Sequence, residues 1–127
     1  MNINGISGAI VDRSIFIHKK LGPGLLEFVY QRILCYELRK AGFTVESEVP
    51  IPVDWDGLVL DESFRADIIV NKKVLVELKS VEKTSPVHRK QTLTYLKLAK
   101  IRVGLLINFG AELIKDDLHR LIVDTEK

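Results

Sequence analysis

Asp67, Glu77 and Lys79 are the residues of this chain whose types and spacing point most directly to chemistry. They stand in the stretch FRADIIVNKKVLVELKS, residues 64–80. Phe64, Ala66, Ile68 and Val70 alternate with Arg65, Asp67 and Ile69, which is the period of a strand. Val74, Val76 and Leu78 alternate in the same way with Leu75, Glu77 and Lys79. With a turn at 71–73, Val70 pairs with Val74 and Asp67 lies opposite Glu77. Two carboxylates and an ammonium then share one sheet face. Opposed carboxylates repel by roughly 0.2–1 kcal/mol even where solvated, and Asp is a poor strand former. Lys79 offsets part of that charge. A divalent cation offsets it better, because hard cations take carboxylate oxygens. A lysine beside such a metal orients or deprotonates a water, and that set is what metal-assisted phosphodiester hydrolysis requires. The competing reading is the solvated, charged face of an ordinary hairpin.

Other elements must hold this hairpin in place. Ile6, Ile10, Ser14, Ile17 and Leu21 recur at helical spacing, so an amphipathic helix is expected over about 5–20. Leu21-Gly22-Pro23-Gly24 ends it. A second helix is expected over about 25–41, with Leu26, Tyr30, Ile33, Leu34, Leu38 and Ala41 as its apolar stripe and Gly42 at C′. Glu27 falls in its first turn, where an acid gains ~0.3–1 kcal/mol from the helix dipole. Tyr30, one turn on, reads as core. His18 precedes the loop and is near Glu27 across it; a lone histidine there is otherwise structural or exposed.

Residues 43–49 read as a strand. Ile51, Val53 and Trp55 then lead to Asp56-Gly57, a type I′ hairpin signal, with Trp55 a packing residue. Pro50 and Pro52 confine their segment to an edge or a bulge. Leu58 and Leu60 begin a return arm that runs into the strand of Asp67. Ser85 and Pro86 suit the N-cap and first position of a helix reaching about residue 100. Val87, Thr94, Tyr95 and Leu98 face inward on it, and Gln91 and Tyr95 are i,i+4 neighbours. Residues 103–109, apolar on both faces, suit a strand inside the sheet, joined to the Glu77 strand by a parallel crossover through the helix. Residues 113–123 read as a short closing strand or helix. The expected order is α-α-β-β-β-β-α-β around a central mixed sheet, an α/β (α+β) fold in a single domain spanning 1–127.

The chain has 127 residues, which suits one core. Its 46% hydrophobic and 28% charged residues are a globular balance. No apolar run approaches the ~20 residues of a membrane span, and the first residues lack the basic-then-apolar order of a signal peptide. The single cysteine, Cys35, excludes an internal disulfide and a cysteine-based zinc site. A cytoplasmic protein without a membrane partner is expected. A net charge of +2 is too mild to argue nucleic-acid binding by itself. Basic residues nevertheless cluster at His18-Lys19-Lys20, Lys72-Lys73 and His88-Arg89-Lys90.

Asp67 followed by Glu77-Leu78-Lys79 resembles the bipartite D…(D/E)xK motif of the PD-(D/E)xK nuclease superfamily. Gly24-Leu25-Leu26-Glu27-Phe28-Val29-Tyr30 spells GxxExxY, and LGPGLLE extends the likeness to the GxxExxY protein family, a small branch of that superfamily. LGPGLLE, RADIIV, VELKSVEK and QTLTYLK fall in that family's order between His18 and Phe109. The Gln91…Tyr95 pair resembles one found in helicase-associated exonucleases of the superfamily. The resemblance implies a restriction-endonuclease-like core and a Mg²⁺- or Mn²⁺-dependent nuclease acting on DNA or RNA. It implies that Asp67 and Glu77 bind the metal, with the Leu78 backbone carbonyl as a further ligand and Glu27 bound directly or through water. Lys79 would position or activate the attacking water, and Gln91 would orient that water or the phosphate. His18, Tyr30, His88, Arg89, Lys90, Tyr95 and Lys97 are the expected nucleic-acid contacts. A homodimer is expected as an assembly able to cut two strands. Two other classes stay open: a catalytically inactive nucleic-acid-binding module with this fold, and a protein-interaction domain.

Overall fold

The computed structural model describes residues 1–124, with the backbone alone at 62 and 63. Two helices come first, α1 (Ile3–Leu21) and α2 (Glu27–Lys40). Asn2 caps α1 by accepting the Gly5 N–H at 2.8 Å. Ile6, Ile10, Ser14 and Ile17 form its buried stripe, as their spacing requires. The Ser14 hydroxyl is satisfied within the helix, donating to the Ile10 carbonyl at 2.8 Å. α2 starts at Glu27 rather than Leu25, because Leu26 is still extended. It ends as expected at Gly42, whose φ of +98° a residue with a Cβ would resist. The Phe43 N–H reaches back to the Leu38 carbonyl at 3.0 Å to close the cap.

Five strands follow: β1 (Val45–Trp55), β2 (Leu58–Val70), β3 (Val74–Lys79), β4 (Val103–Asn108) and β5 (Leu118–Ile122). They lie side by side in chain order. β3 and β4 are parallel and the other neighbours antiparallel. Helix α3 (Pro86–Ala99) makes the crossover between the parallel pair. The sheet is thus mixed and flanked by helices, as expected, but the element order is corrected to α-α-β-β-β-α-β-β. The two segments expected over 43–55 are one strand, because Pro50 and Pro52 lie on the sheet edge, where a missing N–H is harmless. A register irregularity between Ile51 and Val53 absorbs them. Residues 113–123 supply both a 3-10 turn (Ile114–Asp117) and β5.

The core has two parts, one on each side of the sheet. α1 and α2 cover Ile68, Val70, Val74, Val76 and Leu78, together with Leu105 and Ile107 of β4. On the other side α3 packs Leu96 against Ala66, Ile69 and Leu75. β4 is buried along its whole length. Trp55 was expected to pack, yet it is 73% exposed at the tip of the β1–β2 hairpin. Leu58, Val59 and Leu60 beside it are exposed as well, so this end of the hairpin is uncovered among the described residues.

Simple alternation also fails at one point in β2. Phe64 and Ala66 pack in the α3-side cluster, whereas Ile68 and Val70 pack beneath α1 and α2. The strand changes faces at Asp67. On β1 the corresponding register position is Glu48, whose φ is +53°. The two strands are therefore distorted together beside the acidic residues.

Candidate metal and nuclease site

The β2–β3 register runs Val70↔Val74, Ile69↔Leu75 and Ile68↔Val76, the pairing that the turn at 71–73 required. One step further on, the ladder gives way to side chains. The Asp67 N–H donates to Glu77 Oε2 at 2.9 Å, and the Leu78 N–H donates to Asp67 Oδ2 at 2.8 Å. Each carboxylate thus replaces a backbone acceptor of the partner strand. This is how an acidic pair is accommodated among Ile, Val and Leu: the charges satisfy strand amides that would otherwise be orphaned. Each group keeps one further oxygen, Asp67 Oδ1 and Glu77 Oε1.

Glu77 is 6% exposed and Asp67 is half-buried. Burial pushes both carboxyls up from the ordinary range. For Glu77 the charge of Asp67 adds to this. For Asp67, Glu48 and then Glu27 add to it, against the amide of Leu78. Lys79, half-buried at the end of β3, lowers both, but by less than burial raises them. The centre is therefore short of positive charge.

Glu27 reaches the same end of β3. Its Oε2 accepts the Ser80 N–H at 3.2 Å, while the Ser80 hydroxyl donates to the Leu25 carbonyl at 2.6 Å. The Gly22–Leu26 loop is thereby tied to the residue that follows Lys79. Tyr30 ties it from beneath: its hydroxyl donates to the Gly22 carbonyl at 2.5 Å and accepts the Leu25 N–H at 3.1 Å. Its ring stacks on Phe109 with centroids 4.5 Å apart.

That role corrects two of the expected nucleic-acid contacts. Tyr30 is fully buried, and His18 is buried with its Nε2–H donating to the Ala111 carbonyl at 2.9 Å. Both rings are buried, and both hold the loops that frame the site. His88 is half-buried, and its Nδ1 accepts the Ser85 N–H in the capping box that starts α3. Arg89 is half-buried on α3, and Lys90, Gln91 and Lys97 are exposed there. Tyr95 stacks on Phe64 with centroids 3.7 Å apart. Its hydroxyl is held above the usual range by burial, then by the charges of Glu77 and Asp67.

Some positioning residues carried no local signal in the sequence. Glu48 is one: Gln31 Nε2 donates to its Oε2 at 2.8 Å and holds it near Asp67. Asn108 is another, and here a signal existed, a lone amide in the apolar run VGLLINF. Its Oδ1 accepts the Val81 N–H and its Nδ2 donates to the Val81 carbonyl. Val81 approaches so closely that a Cβ on Gly110 would lie 2.1 Å from its carbonyl oxygen. Asp117 completes this clamp. It accepts from the Thr84 N–H (2.8 Å), the Thr84 hydroxyl (2.5 Å), Asn108 Nδ2 (3.0 Å) and His119 Nε2 (2.9 Å). Burial raises the Asp117 carboxyl, but these bonds outweigh it and hold the group well below the usual range. The strand carrying Glu77 and Lys79 is thus fixed immediately beyond its end.

Among the described residues, no three or more His, Cys, Asp or Glu side chains converge as a ready metal cage. The Asp67–Glu77 pair fits a Mg²⁺-like ion nonetheless. Such an ion keeps several waters and takes one or two carboxylates, and two crowded anions offer it an oxygen each.

The family model described as the PD-(D/E)XK nuclease superfamily matches residues 4–121. Neither a curated protein nor a solved structure matches the chain. No helix of the described residues is long and apolar enough to cross a membrane.

Proposed function

Because this chain belongs to the PD-(D/E)XK nuclease superfamily, we propose that it hydrolyses phosphodiester bonds of DNA or RNA with Mg²⁺ or Mn²⁺ held by Asp67 and Glu77. The observation that carries this reading is the reciprocal bonding of those two residues. It holds both carboxylates between β2 and β3 and confines them where burial disfavours their charged forms. A bound dication supplies Lewis-acid polarisation of the phosphoryl oxygen and a lower pKa for its water. The Leu78 carbonyl is a further proposed ligand, and Glu27, exposed beside Ser80, is proposed to bind through water. Lys79 orients the attacking water and holds positive charge beside the developing phosphorane. Gln91, exposed one turn before Tyr95, orients that water or the phosphate. The water oxygen bonds to phosphorus and gives up a proton to solvent as the P–O bond to the leaving oxygen breaks, and that oxygen takes a proton from solvent.

The GxxExxY branch is the proposed placement within the superfamily, resting on the loop and helix from Gly24 to Tyr30. Arg89, Lys90, Tyr95 and Lys97 are proposed to meet the nucleic acid, with His88 positioning the start of α3. A homodimer is the proposed assembly for cutting both strands, and the cytoplasm the proposed location. One observation favours a second reading, an inactive nucleic-acid-binding or protein-interaction module: no three candidate ligands converge among the described residues. Plasmid nicking with and without EDTA separates the two. Divalent-dependent nicking that disappears in Asp67→Asn, Glu77→Gln and folded Lys79→Ala supports the nuclease. Full activity in Lys79→Ala and Asp67→Asn overturns it.

A further inference from the structure

A second basic surface lies at the opposite end of β3 from Glu77 and Lys79. Lys72, Lys73, Lys100 and Arg102 line a groove of about 560 Å³ together with Asn2 and Asn4. No acidic side chain is among its described lining residues. α1 begins there with no acid in its first turn. Glu46 meets Lys72 at 3.3 Å, but that pair is exposed and weak.

The backbone at two of these lysines is unusual. Lys72 has φ +55° and Lys100 φ +58°. Lys72 follows Asn71 (φ +51°) in the turn closed by the Lys73 N–H to the Val70 carbonyl. That is a type I′ geometry, whose second central position favours glycine. Lys100 is the left-handed cap of α3, and beyond it the Ile101 N–H bonds the Leu96 carbonyl. Helices favour glycine at that position too. Other non-glycine residues with positive φ include Asn71 and Asp56, types that tolerate it, and Glu48, which faces Asp67. Strained residues of this kind collect where function requires their side chains. Two independent turns each place a lysine where glycine would be more stable, and both lysines face one groove.

We infer that this groove is a remote phosphate-backbone site that grips nucleic acid away from the point of cleavage. The inference rests on the nuclease-type substrate proposed above. Lys73 to Lys79 spans roughly 20 Å at strand rise, about six nucleotides of one strand. The exposed outer face of α3 carries Lys90 and Lys97, two turns apart, and Lys100 follows at its end. Lysines therefore recur along the crossover helix that runs between the two ends of the parallel strand pair.

The test is binding of a duplex longer than this span, followed by fluorescence anisotropy in EDTA across a salt series. It is run with wild type, Lys72→Gln/Lys100→Gln, Lys72→Gly/Lys100→Gly and Lys72→Arg/Lys100→Arg. Melting curves accompany each variant. Each neutralised phosphate contributes about 0.9 to the slope of log K against log salt. The Gln and Gly pairs are both expected to lose nearly two units of slope, and the Arg pair to keep it. The Gly pair alone is expected to melt higher, by roughly 4 °C or more for two relieved residues. An unchanged slope in the Gln and Gly pairs overturns the site, whatever the melting curves show. Plasmid nicking keeps the two proposals apart. Nicking with an unchanged slope removes only the groove. A lost slope without nicking in wild type removes only the nuclease.

Discussion

The Asp67 N–H donates to the Glu77 carboxylate at 2.9 Å, while the carboxylate of Asp67 accepts the amide of Leu78, the residue after Glu77, at 2.8 Å. The acidic pair is therefore part of the hydrogen bonding between β2 and β3, not an addition to its surface. Local folding places the carboxylates, and their mutual repulsion is what a cation would relieve. Two consequences of this pairing, and one of the clamp beyond β3, can be measured.

The first is a pH dependence of the metal-free protein. Burial, with the charges of Glu48 and Glu27 adding to it, pushes Asp67 up to about 6, and burial with the charge of Asp67 pushes Glu77 up to about 8; unfolded carboxyls titrate near ~4. Between those limits the folded chain binds more protons than the unfolded one, so this pair's contribution to stability falls as pH rises. In EDTA, Tm is expected to be several degrees higher at pH 5 than at pH 8. Asp67→Asn should flatten that slope. A wild-type Tm that is level or rises over the same range would remove the buried, crowded pair from the account.

The Asp117 clamp has the opposite sign. Its carboxyl is held below the usual range, so its stabilisation is present above the unfolded value near ~4 and is lost as pH falls further. Asp117→Ala removes the acceptor of the Thr84 N–H and hydroxyl and one of the two acceptors of Asn108 Nδ2, and is expected to cost about 3 kcal/mol near neutral pH. The difference from wild type should shrink below pH ~4 as protonation does the same work. Denaturant melts at pH 7 and pH 3 measure it. A variant of wild-type stability at pH 7 would show that the clamp is not holding the end of β3.

Much of this centre was legible because period-two alternation is local. The turn at 71–73 sets the register, and the register brings Asp67 to Glu77. The paired helices, the Gly42 cap and the Ser85-Pro86 start of α3 follow from equally local rules. What escaped was non-local. The face change at Asp67 depends on Glu48, across the strand pair and left-handed at φ +53°. Glu48 is in turn held by Gln31 on another element. His18 and Tyr30 stand in or beside a suggestive motif, but only the packing against Phe109 shows that their rings face inward. Asp117 is joined by His119 of its own segment, but its other partners, Thr84 and Asn108, come from elsewhere in the chain. Trp55 was misplaced because hydrophobicity says that a residue favours burial, not that an element is available to cover it.

The most direct measurement of the central claim, that Asp67 and Glu77 form a metal site, is a thermal melt of wild type and Asp67→Asn. Each is melted in EDTA and in millimolar Mg²⁺ or Mn²⁺. In EDTA above pH 8, where both carboxyls of the wild type are ionised, the variant is expected to melt above wild type, because one of two crowded charges is gone. With metal, wild type should gain roughly 2.7 kcal/mol at a hundredfold excess over Kd. The variant, lacking an anionic ligand, should gain little. A variant that melts below wild type in EDTA, with metal shifting both proteins equally, would contradict the account and leave the pair as a structural hydrogen-bonded device.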